Sequence, residues 1–484
     1  MPFDERVILK TVVVLGGAYA DVYIFPRLAV LSGHEHKGFV PFAKLLDAKR
    51  DGDLCLTAIV KSVHPSHVVL DRAFPERGIL TPTLHFDYLV YALGSKLPAP
   101  LDLWGSYPGS GSVFHKVASV PQPYAGSKQE GIEWLKAHQE VIRNSESILV
   151  VGGGALGIRD LPYTKPETIE FATDIAEIHP DKTITLLHSR HRLLPRFDER
   201  LHTEILDTLM ASNVNVILGE RLDMHSTSLD GESLELNERG QRVVKTVQGR
   251  EVAADLILLC TGQKPNTHFL SAMDPSCVNP HDGLVHVLRT MQLGVLPPLH
   301  SRSTFSSEIL TPCTPSSSLS ASASTSNLLS PEQELEEALA QVALTGDVDY
   351  QYGDLESEPE SEDRTETTPY PNIFVVGDVA DAFGAIPAGH TAYYQGEVAA
   401  RNIVRLIQRS EMEQSVSECA LVPEPLEYYK PGSPAIKVSL GLTKAAYEVN
   451  GVVGTSNDGV PDLNAAAMWG YFGYEVEKDE DMYL

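Results

Sequence analysis

The chain has 484 residues, a formal net charge of −27, 43% hydrophobic residues and 21% charged residues. This composition is typical of a globular protein, and the length predicts two or three domains. The charge is strongly negative and no basic patch is visible, which argues against a nucleic-acid-binding protein. No stretch of about 18 apolar residues is present, so no membrane-spanning helix is expected.

The cysteines are scattered, and no two have the CxxC or CxxxxC spacing; they are Cys55, Cys260, Cys277, Cys313 and Cys419. This pattern argues against a redox-active disulfide and against a zinc ribbon. The run His34-Glu35-His36 offers metal ligands, but no further ligands stand nearby, so we predict no metal site. Few cysteines and the absence of a signal-peptide pattern in MPFDERVILK predict a cytoplasmic protein.

Strands and helices are expected to alternate along the chain, which predicts an α/β protein with parallel sheets. Strand patterns lie at 12–15, 54–71, 86–93, 147–151, 183–188, 214–218, 256–260, 372–376 and 435–442. Helix patterns lie at 128–143, from 171 onward and at 389–408. Between them, residues 301–330 are rich in Ser, Thr and Pro and residues 331–368 are acidic, a composition that predicts disorder.

The clearest motif follows the apolar strand at 147–151 and contains Gly152, Gly154 and Gly157. Such glycines allow a tight turn, close approach of the backbone to a pyrophosphate and close packing of helix on strand. The motif therefore predicts a dinucleotide site, and the alternative is a glycine-rich turn in an unrelated α/β protein. Pro162 and Pro166 follow soon after and interrupt any regular helix there.

Two further signals stand at strand ends. Arg190 and Arg192 follow the strand at 183–188, where an arginine would favour the 2′-phosphate of NADP, although a solvated basic loop is the alternative. Gly377 and Asp378 follow the strand at 372–376, and a carboxylate there can accept a hydrogen bond from a cofactor hydroxyl. Taken alone, a Gly-Asp pair is common in turns.

Together these segments resemble the apoptosis-inducing-factor-like flavoproteins, in the group close to ferroptosis suppressor protein, within the pyridine nucleotide–disulfide oxidoreductase superfamily. The segments that carry the resemblance are VVVLGG (12–17), FPRLAVLSGHEHKGFVPF (25–42), YALGS (91–95), VVGGGALG (150–157), FATDIAEIHPDKTITLLHSR (171–190), LLCTGQKPN (258–266), NIFVVGDVAD (372–381), GHTAYYQGEVAARNI (389–403) and YYKPGSPAIKVSLG (428–441). The resemblance covers most of the chain outside 301–368.

The resemblance implies FAD, NAD(P)H and two Rossmann-like dinucleotide-binding domains. The FAD-binding domain would be discontinuous, in parts 1–127 and 267–408, with the NAD(P)-binding domain at 128–266 and a small C-terminal region at 409–484. FAD would be bound near Gly16, Gly17, Ala18, Gly94, Gly377 and Asp378. NAD(P)H would be bound near Gly152, Gly154, Gly157, Arg190 and Gly262.

The resemblance also implies that electrons pass through the flavin to an acceptor such as a quinone. Catalytic residues are not identified, with Glu170 a weak candidate near the nicotinamide. Tyr393 and Tyr394 are candidates for flavin contact, and core packing is the alternative. Oligomeric state is left open, as is peripheral contact with a lipid droplet or mitochondrial membrane.

The chain departs from this pattern near its start. Phe25 follows the first strand by only ten residues, whereas a βαβ unit needs about 30 residues, so a segment is missing near residues 20–23. Asp21 stands where the third glycine is expected, and the segment 159–170 resembles an insertion. Two other functions therefore stay open: a flavin-deficient, non-enzymatic remnant, and a disulfide reductase, which the unpaired cysteines disfavour.

Overall fold

The computed structural model describes residues 10–16, 19–20, 25–41, 44, 54–96, 128–152, 167–227, 236–260, 264–296, 367–414, 423–432 and 434–484. Residues 301–366 of the expected disordered insertion lie outside the described residues. Among the helices of the described part, none is long and apolar enough to span a membrane.

The described strands, in chain order, are β1 (Val12–Leu15), β2 (Tyr19–Ala20), β3 (Val40–Pro41), β4 (Val60–Val63), β5 (His67–Leu70), β6 (Thr83–His85), β7 (Tyr88–Tyr91), β8 (Ser95–Lys96), β9 (Ser147–Gly152), β10 (Thr183–His188), β11 (Asn215–Leu218), β12 (Arg242–Lys245), β13 (Glu251–Ala254), β14 (Leu256–Cys260), β15 (Lys264–Pro265), β16 (Val285–His286), β17 (Gln292–Leu293), β18 (Tyr370–Val375), β19 (Ala380–Asp381), β20 (Ile436–Ser439), β21 (Ala445–Val449) and β22 (Val452–Ser456). The described α-helices are α1 (Phe25–Leu28), α2 (Lys128–Arg143), α3 (Glu167–Ile178), α4 (Glu199–Ala211), α5 (His268–Met273), α6 (Gly389–Gln414) and α7 (Ala465–Tyr471).

The first sheet has the order β1-β7-β18-β17. The strands β1, β7 and β18 are parallel, and β17 is antiparallel to β18. One face of the sheet is buried in a core shared with β4, β5, α5 and α6. The strand expected over 54–71 is a hairpin of β4 and β5, with Pro65 and Ser66 between the two strands. A proline cannot donate to a central ladder, which is consistent with a turn at this point.

The second sheet has the order β11-β10-β9-β14, and all its strands are parallel. Successive residues of β9 are buried on opposite faces, with Ile148 and Val150 in one core cluster and Leu149 and Val151 in another. Parallel sheets are normally covered on both faces, and their strands are therefore apolar throughout. This explains why continuous apolar runs predicted the four strands of this sheet correctly.

The segment 25–41 packs in the same core as α2, α3 and the C-terminal strands, and not in the core of the first sheet. Its residues Leu28, Phe39 and Val40 are fully buried there. The C-terminal strands β20, β21 and β22 form an antiparallel sheet whose residues Val438 and Ala446 contribute to this core. The division of the chain into domains stays a prediction.

The segment that includes the expected disordered insertion begins and ends at neighbouring points of the first sheet. Leu293 of β17 is paired with Tyr370 of β18, and the Thr368 hydroxyl donates a hydrogen bond to the Leu293 carbonyl. Since these ends meet without the intervening chain, the insertion is expected to be dispensable for the fold.

We therefore expect deletion of 301–366 to leave the folded protein intact and to raise its free energy of unfolding by up to about 2 kcal/mol, because the closed loop becomes much shorter. Thermal unfolding of the full chain and of the deletion variant would measure this. A loss of several degrees in melting temperature would show instead that the insertion packs on the fold.

Candidate active site

The strands β9, β10 and β14 of the second sheet end in register at their carboxyl ends. Gly152 at the end of β9 is paired with His188 of β10 on one side and with Cys260 of β14 on the other. The strand order reverses at β9, because β10 lies on one side of it and β14 on the other. Ligands of open α/β sheets bind at such a switch point, outside the carboxyl ends of the strands. This edge is therefore the candidate dinucleotide site.

Gly152 lies directly beneath the first turn of α3. A Cβ atom at Gly152 would be 2.0 Å from the Thr168 Oγ1 and 2.4 Å from its Cβ. No side chain fits into this space, so Gly152 provides close helix–strand packing, which is one of the three roles expected of the glycines in this motif. Gly154, Gly157 and Gly262 lie outside the described residues, and their expected roles stay predictions.

The two arginines after β10 have different surroundings. The Arg192 guanidinium donates from Nη2 to the carbonyl oxygens of Pro195 (2.7 Å) and Phe197 (2.6 Å), so it stabilises its own loop. Arg190 is half-buried, and its carbonyl accepts a hydrogen bond from Gly219. The Arg192 Nη2 group is used within its own loop, which argues against the predicted role of Arg192 at a 2′-phosphate. The predicted role of Arg190 there stays a prediction.

The carboxyl ends of the first sheet form a second candidate edge. Leu15, Tyr91 and Val375 end their strands in register, and Gly16, Gly94 and Gly377 follow within three residues. Gly94 and Gly377 have φ angles of 59° and 79°, a left-handed conformation that glycine adopts without strain. The expected contacts of Gly17 and Ala18 lie outside the described residues.

Asp378 follows this edge in a short 3₁₀ helix, Gly377–Val379, and is half-buried. The Gly377 amide donates a 2.7 Å hydrogen bond to the Oε1 of Gln395, a buried residue of α6. The strand end is thereby fixed against the long helix that follows it. Asp378 is the next residue at this sheet edge, where the sequence predicts contact with a cofactor hydroxyl.

A two-stranded ribbon joins the two edges. The strand β8, which follows β7, pairs with β15, which follows β14. Asn266 holds the ribbon in place, because its Nδ2 donates to Leu93 O and its amide donates to Gly94 O, both at 2.9 Å. Its own carbonyl accepts from the Tyr91 hydroxyl at 2.5 Å. The carboxyl ends of the parallel strands in the two sheets are therefore held close to each other.

Glu170 lies in the first turns of α3 and is buried against the C-terminal sheet. Its Oε1 accepts hydrogen bonds from the Ser439 hydroxyl (2.9 Å) and the Ser439 amide (3.2 Å). The side chain therefore joins α3 to β20, which is a structural role. Its predicted role near the nicotinamide stays a prediction.

The remaining candidates have the following surroundings. Tyr394 packs partly buried on the core of the first sheet, whereas Tyr393 is exposed; their rings meet edge to face at 5.7 Å. Glu35 accepts hydrogen bonds from Gly33 and Gln139, and His36 stacks on Tyr483 at 3.8 Å. No group of metal-binding side chains occurs within the described residues.

No disulfide is formed by the described cysteines, Cys55, Cys260 and Cys277. Burial raises the pKa of the Cys277 thiol to about 12, and a nearby carboxylate, that of Asp274, acts in the same direction. A protonated thiol is a poor nucleophile in disulfide exchange. Cys313 and Cys419 lie outside the described residues.

One buried ion pair beside α3 was not predicted from the sequence. The Arg27 Nε lies 2.7 Å from the Asp174 Oδ2, and the two side chains are 1% and 0% exposed. Arg27 also donates to Gly441 O at 2.6 Å and to Pro461 O at 2.7 Å. The only signal in the sequence is an arginine within an apolar run, and that signal does not identify the partner.

Comparison with known proteins identifies the family of this chain. The family model described as "Pyridine nucleotide-disulphide oxidoreductase" matches residues 67–293. "Fe-regulated protein 8" of Mycosarcoma maydis is 32% identical, over 97% of this chain and 88% of that protein. The chain belongs to the pyridine nucleotide-disulphide oxidoreductase family. This membership confirms the predicted family and enzyme class and the expected cofactors, FAD and NAD(P)H.

Other relatives match a smaller part. "Ferroptosis suppressor protein 1" of Homo sapiens is 30% identical over 38% of this chain and 40% of that protein. The same protein of Taeniopygia guttata is 27% identical over 55% of this chain and 59% of its own length. A solved structure of the sulfide:quinone oxidoreductase from Aquifex aeolicus has a TM-score of 0.53 at 15% identity and covers 96% of this chain and 85% of that one. This likeness confirms the predicted two-sheet α/β fold.

The described residues fit a pyridine nucleotide at the second sheet, since Gly152 leaves the edge without a side chain and Arg190 follows β10. At the first sheet, Gly94, Gly377 and Asp378 fit the flavin side of FAD. The described residues do not fit its adenosine side. In a Rossmann unit the strand next to the first one carries the acid that binds the ribose, and no described strand lies on the outer side of β1.

Proposed function

We propose that this chain passes electrons from NAD(P)H, through a flavin, to a quinone-like acceptor. The observation that carries the proposal is the ribbon of β8 and β15, which holds the carboxyl ends of the two sheets together. Two cofactors bound at these edges would meet near Asn266. Holding two reactants together in this way removes much of the entropic barrier to their reaction.

Each edge contributes recognisable groups. Gly152 and Arg190 would bind NAD(P)H, with Gly152 admitting the dinucleotide backbone and Arg190 facing the adenosine ribose. Gly94 and Asp378 would bind the flavin, with the Asp378 carboxylate accepting a hydrogen bond from a ribityl hydroxyl. The flavin, when bound, supplies the redox chemistry, and the protein supplies position and electrostatics.

The proposed acceptor follows from the cysteines and from the resemblance to the ferroptosis-suppressor group. The described cysteines form no pair, so these residues offer no dithiol to relay electrons to a disulfide substrate. A quinone can take electrons from reduced flavin directly. Because such quinones dissolve in membranes, we propose a cytoplasmic protein with peripheral contact at a lipid droplet or mitochondrial surface.

Anaerobic mixing experiments with added FAD test this function. NADPH should bleach the flavin absorbance, and a short-tailed ubiquinone should restore it at least about tenfold faster than glutathione disulfide does. Faster reoxidation by the disulfide would support a disulfide reductase instead. Flavin that binds and is never bleached by NADPH or NADH would support the non-enzymatic remnant.

The coenzyme preference is a separate prediction. Arg190→Ala should weaken NADPH binding by about tenfold or more, which is the loss of one charge-assisted contact, and should change NADH binding little. Arg200→Ala is the matched control, because Arg200 is exposed and forms its ion pair with the neighbouring Asp198. Titration of each coenzyme by its fluorescence would measure the effect. An equal loss for both coenzymes, or a preference of the unmodified chain for NADH, would contradict this assignment.

A further inference from the structure

The outer edge of the first sheet is incompletely covered. Val12 and Val14 of β1 are 42% and 63% exposed, whereas Phe374, in register with Val14 on the same face, is 0% exposed. The strand β1 is the outermost strand among those described. Central strands of parallel sheets are buried on both faces. Among the described residues, this face has no covering helix and this edge has no outer strand of the kind that a complete dinucleotide-binding unit would supply.

The first glycines of the two motifs, Gly16 and Gly152, differ in whether a helix packs against them. A Cβ atom at Gly152 would collide with Thr168 of α3, but a Cβ atom at Gly16 would meet no described atom within 4 Å. Gly152 is therefore required by a helix that packs on its strand. Gly16 has the same place in the sequence motif without a described helix against it.

The segment between Gly16 and Phe25 is too short to contain a helix and a second strand. Only residues 17–24 separate Gly16 from Phe25, whereas a helix and a second strand need more than twenty residues. From Arg27 onward the chain is buried against α3 and the C-terminal region, through the ion pair with Asp174. None of the described residues is therefore placed to give FAD the helix N-terminus for its pyrophosphate or the acid for its adenosine ribose.

The opposite end of the same edge is complete. Gly94 and Gly377 follow buried, paired strands, and Gln395 fixes the Gly377 amide. Asp378 lies between β18 and the 26-residue helix α6, and both of these elements are present in the described structure.

We propose that this site recognises a flavin by its isoalloxazine and ribityl half alone, so that FAD and FMN bind with similar affinity and dissociate readily. The proposal rests on the proposed function only in placing the flavin at the first sheet. The flavin would then be an exchangeable ligand, and NAD(P)H oxidation would depend on free flavin.

The test measures dissociation constants of FAD, FMN and riboflavin for the full chain by quenching of flavin fluorescence. The expected ratio of the FAD and FMN constants is within about threefold, since the adenosine half gains no specific contact. The matched variant carries the helix and second strand of a complete dinucleotide-binding unit inserted after Ala20. It should bind FAD roughly 100-fold more tightly than FMN, through its added phosphate and ribose contacts.

NADPH binding by both chains serves as the folding control, because the second sheet is the same in each. Asp378→Ala should weaken FAD and FMN equally in the unmodified chain. Co-purification of one FAD per chain, a preference for FAD above about tenfold, or failure of all three flavins to bind would overturn the proposal. The acceptor experiment above can fail independently, since it tests the fate of the electrons and not the choice of flavin.

Discussion

Replacing Arg27 with methionine is expected to lower the free energy of unfolding by about 3–5 kcal/mol at pH 8, the usual cost of leaving a buried charge without its partner. Arg27 and Asp174 are both fully buried and lie 2.7 Å apart. Arg27 also donates hydrogen bonds to the carbonyl groups of Gly441 and Pro461 in the C-terminal region. The substitution would thus release the C-terminal region from α1 and α3 together.

The loss should depend on pH. Burial raises the pKa of Asp174 to about 6, although the Arg27 guanidinium acts to lower it. A carboxyl group whose pKa is raised by folding contributes stability below its unfolded pKa, and loses that contribution as the pH rises through its folded pKa. In Arg27→Met the lone carboxyl can take up a proton, so the destabilisation should be smaller at pH 5 than at pH 8.

A variant series separates charge from shape. Asp174→Asn removes the charge but keeps an oxygen that can accept from the Arg27 Nε, and Arg27→Met/Asp174→Asn leaves no buried charge at the pair. The double variant should be more stable than Arg27→Met at pH 8, as measured by urea unfolding at both pH values. If Arg27→Met and the double variant are equally unstable at both pH values, the arginine acts through its carbonyl contacts and not through Asp174.

The sequence predicted local structure well where one strand or helix has a complete pattern of its own. The helix at 128–143 and the strands at 183–188 and 256–260 have the observed bounds, because each is a continuous periodic or apolar run. The hairpin of β4 and β5 was expected only as a strand pattern over 54–71, because Pro65 and Ser66 alone mark its turn.

The partners of buried residues could not be predicted in the same way. Arg27 and Asp174 are separated by 147 positions, and no local pattern relates them. An apolar run indicates that the segment 25–41 is buried, but not that it packs on α2 and α3 rather than on the first sheet. The spacing near Ala20 predicts a missing unit there, and that stays a prediction. The exposure of Val12 and Val14 on one face could not be predicted without the register of the sheet.

Gly152→Ala is expected to lower the free energy of unfolding by about 3 kcal/mol, at the upper end of the cost of overpacking a core. The added Cβ atom would be 2.0 Å from the Thr168 Oγ1 and 2.3 Å from its Cγ2. Thr168 is buried and β-branched at the start of α3, so neither a rotamer change nor a small shift relieves the collision. The helix must move away from the strand end.

Because α3 then no longer lies over the carboxyl end of β9, Gly152→Ala should also weaken NADPH binding, by about tenfold or more if the dinucleotide lies at this edge. Gly16→Ala is the matched control at the corresponding position of the first sheet, where a Cβ atom meets no described atom within 4 Å. It should leave both stability and NADPH binding almost unchanged.

Adding Thr168→Gly to Gly152→Ala removes all three colliding atoms, and should restore most of the NADPH affinity despite a cost of about 1 kcal/mol for glycine in a helix. Coenzyme titration and urea unfolding of the four chains would measure this. If Gly152→Ala and Gly16→Ala had equal effects, the helix–strand contact would not be what shapes the nucleotide edge.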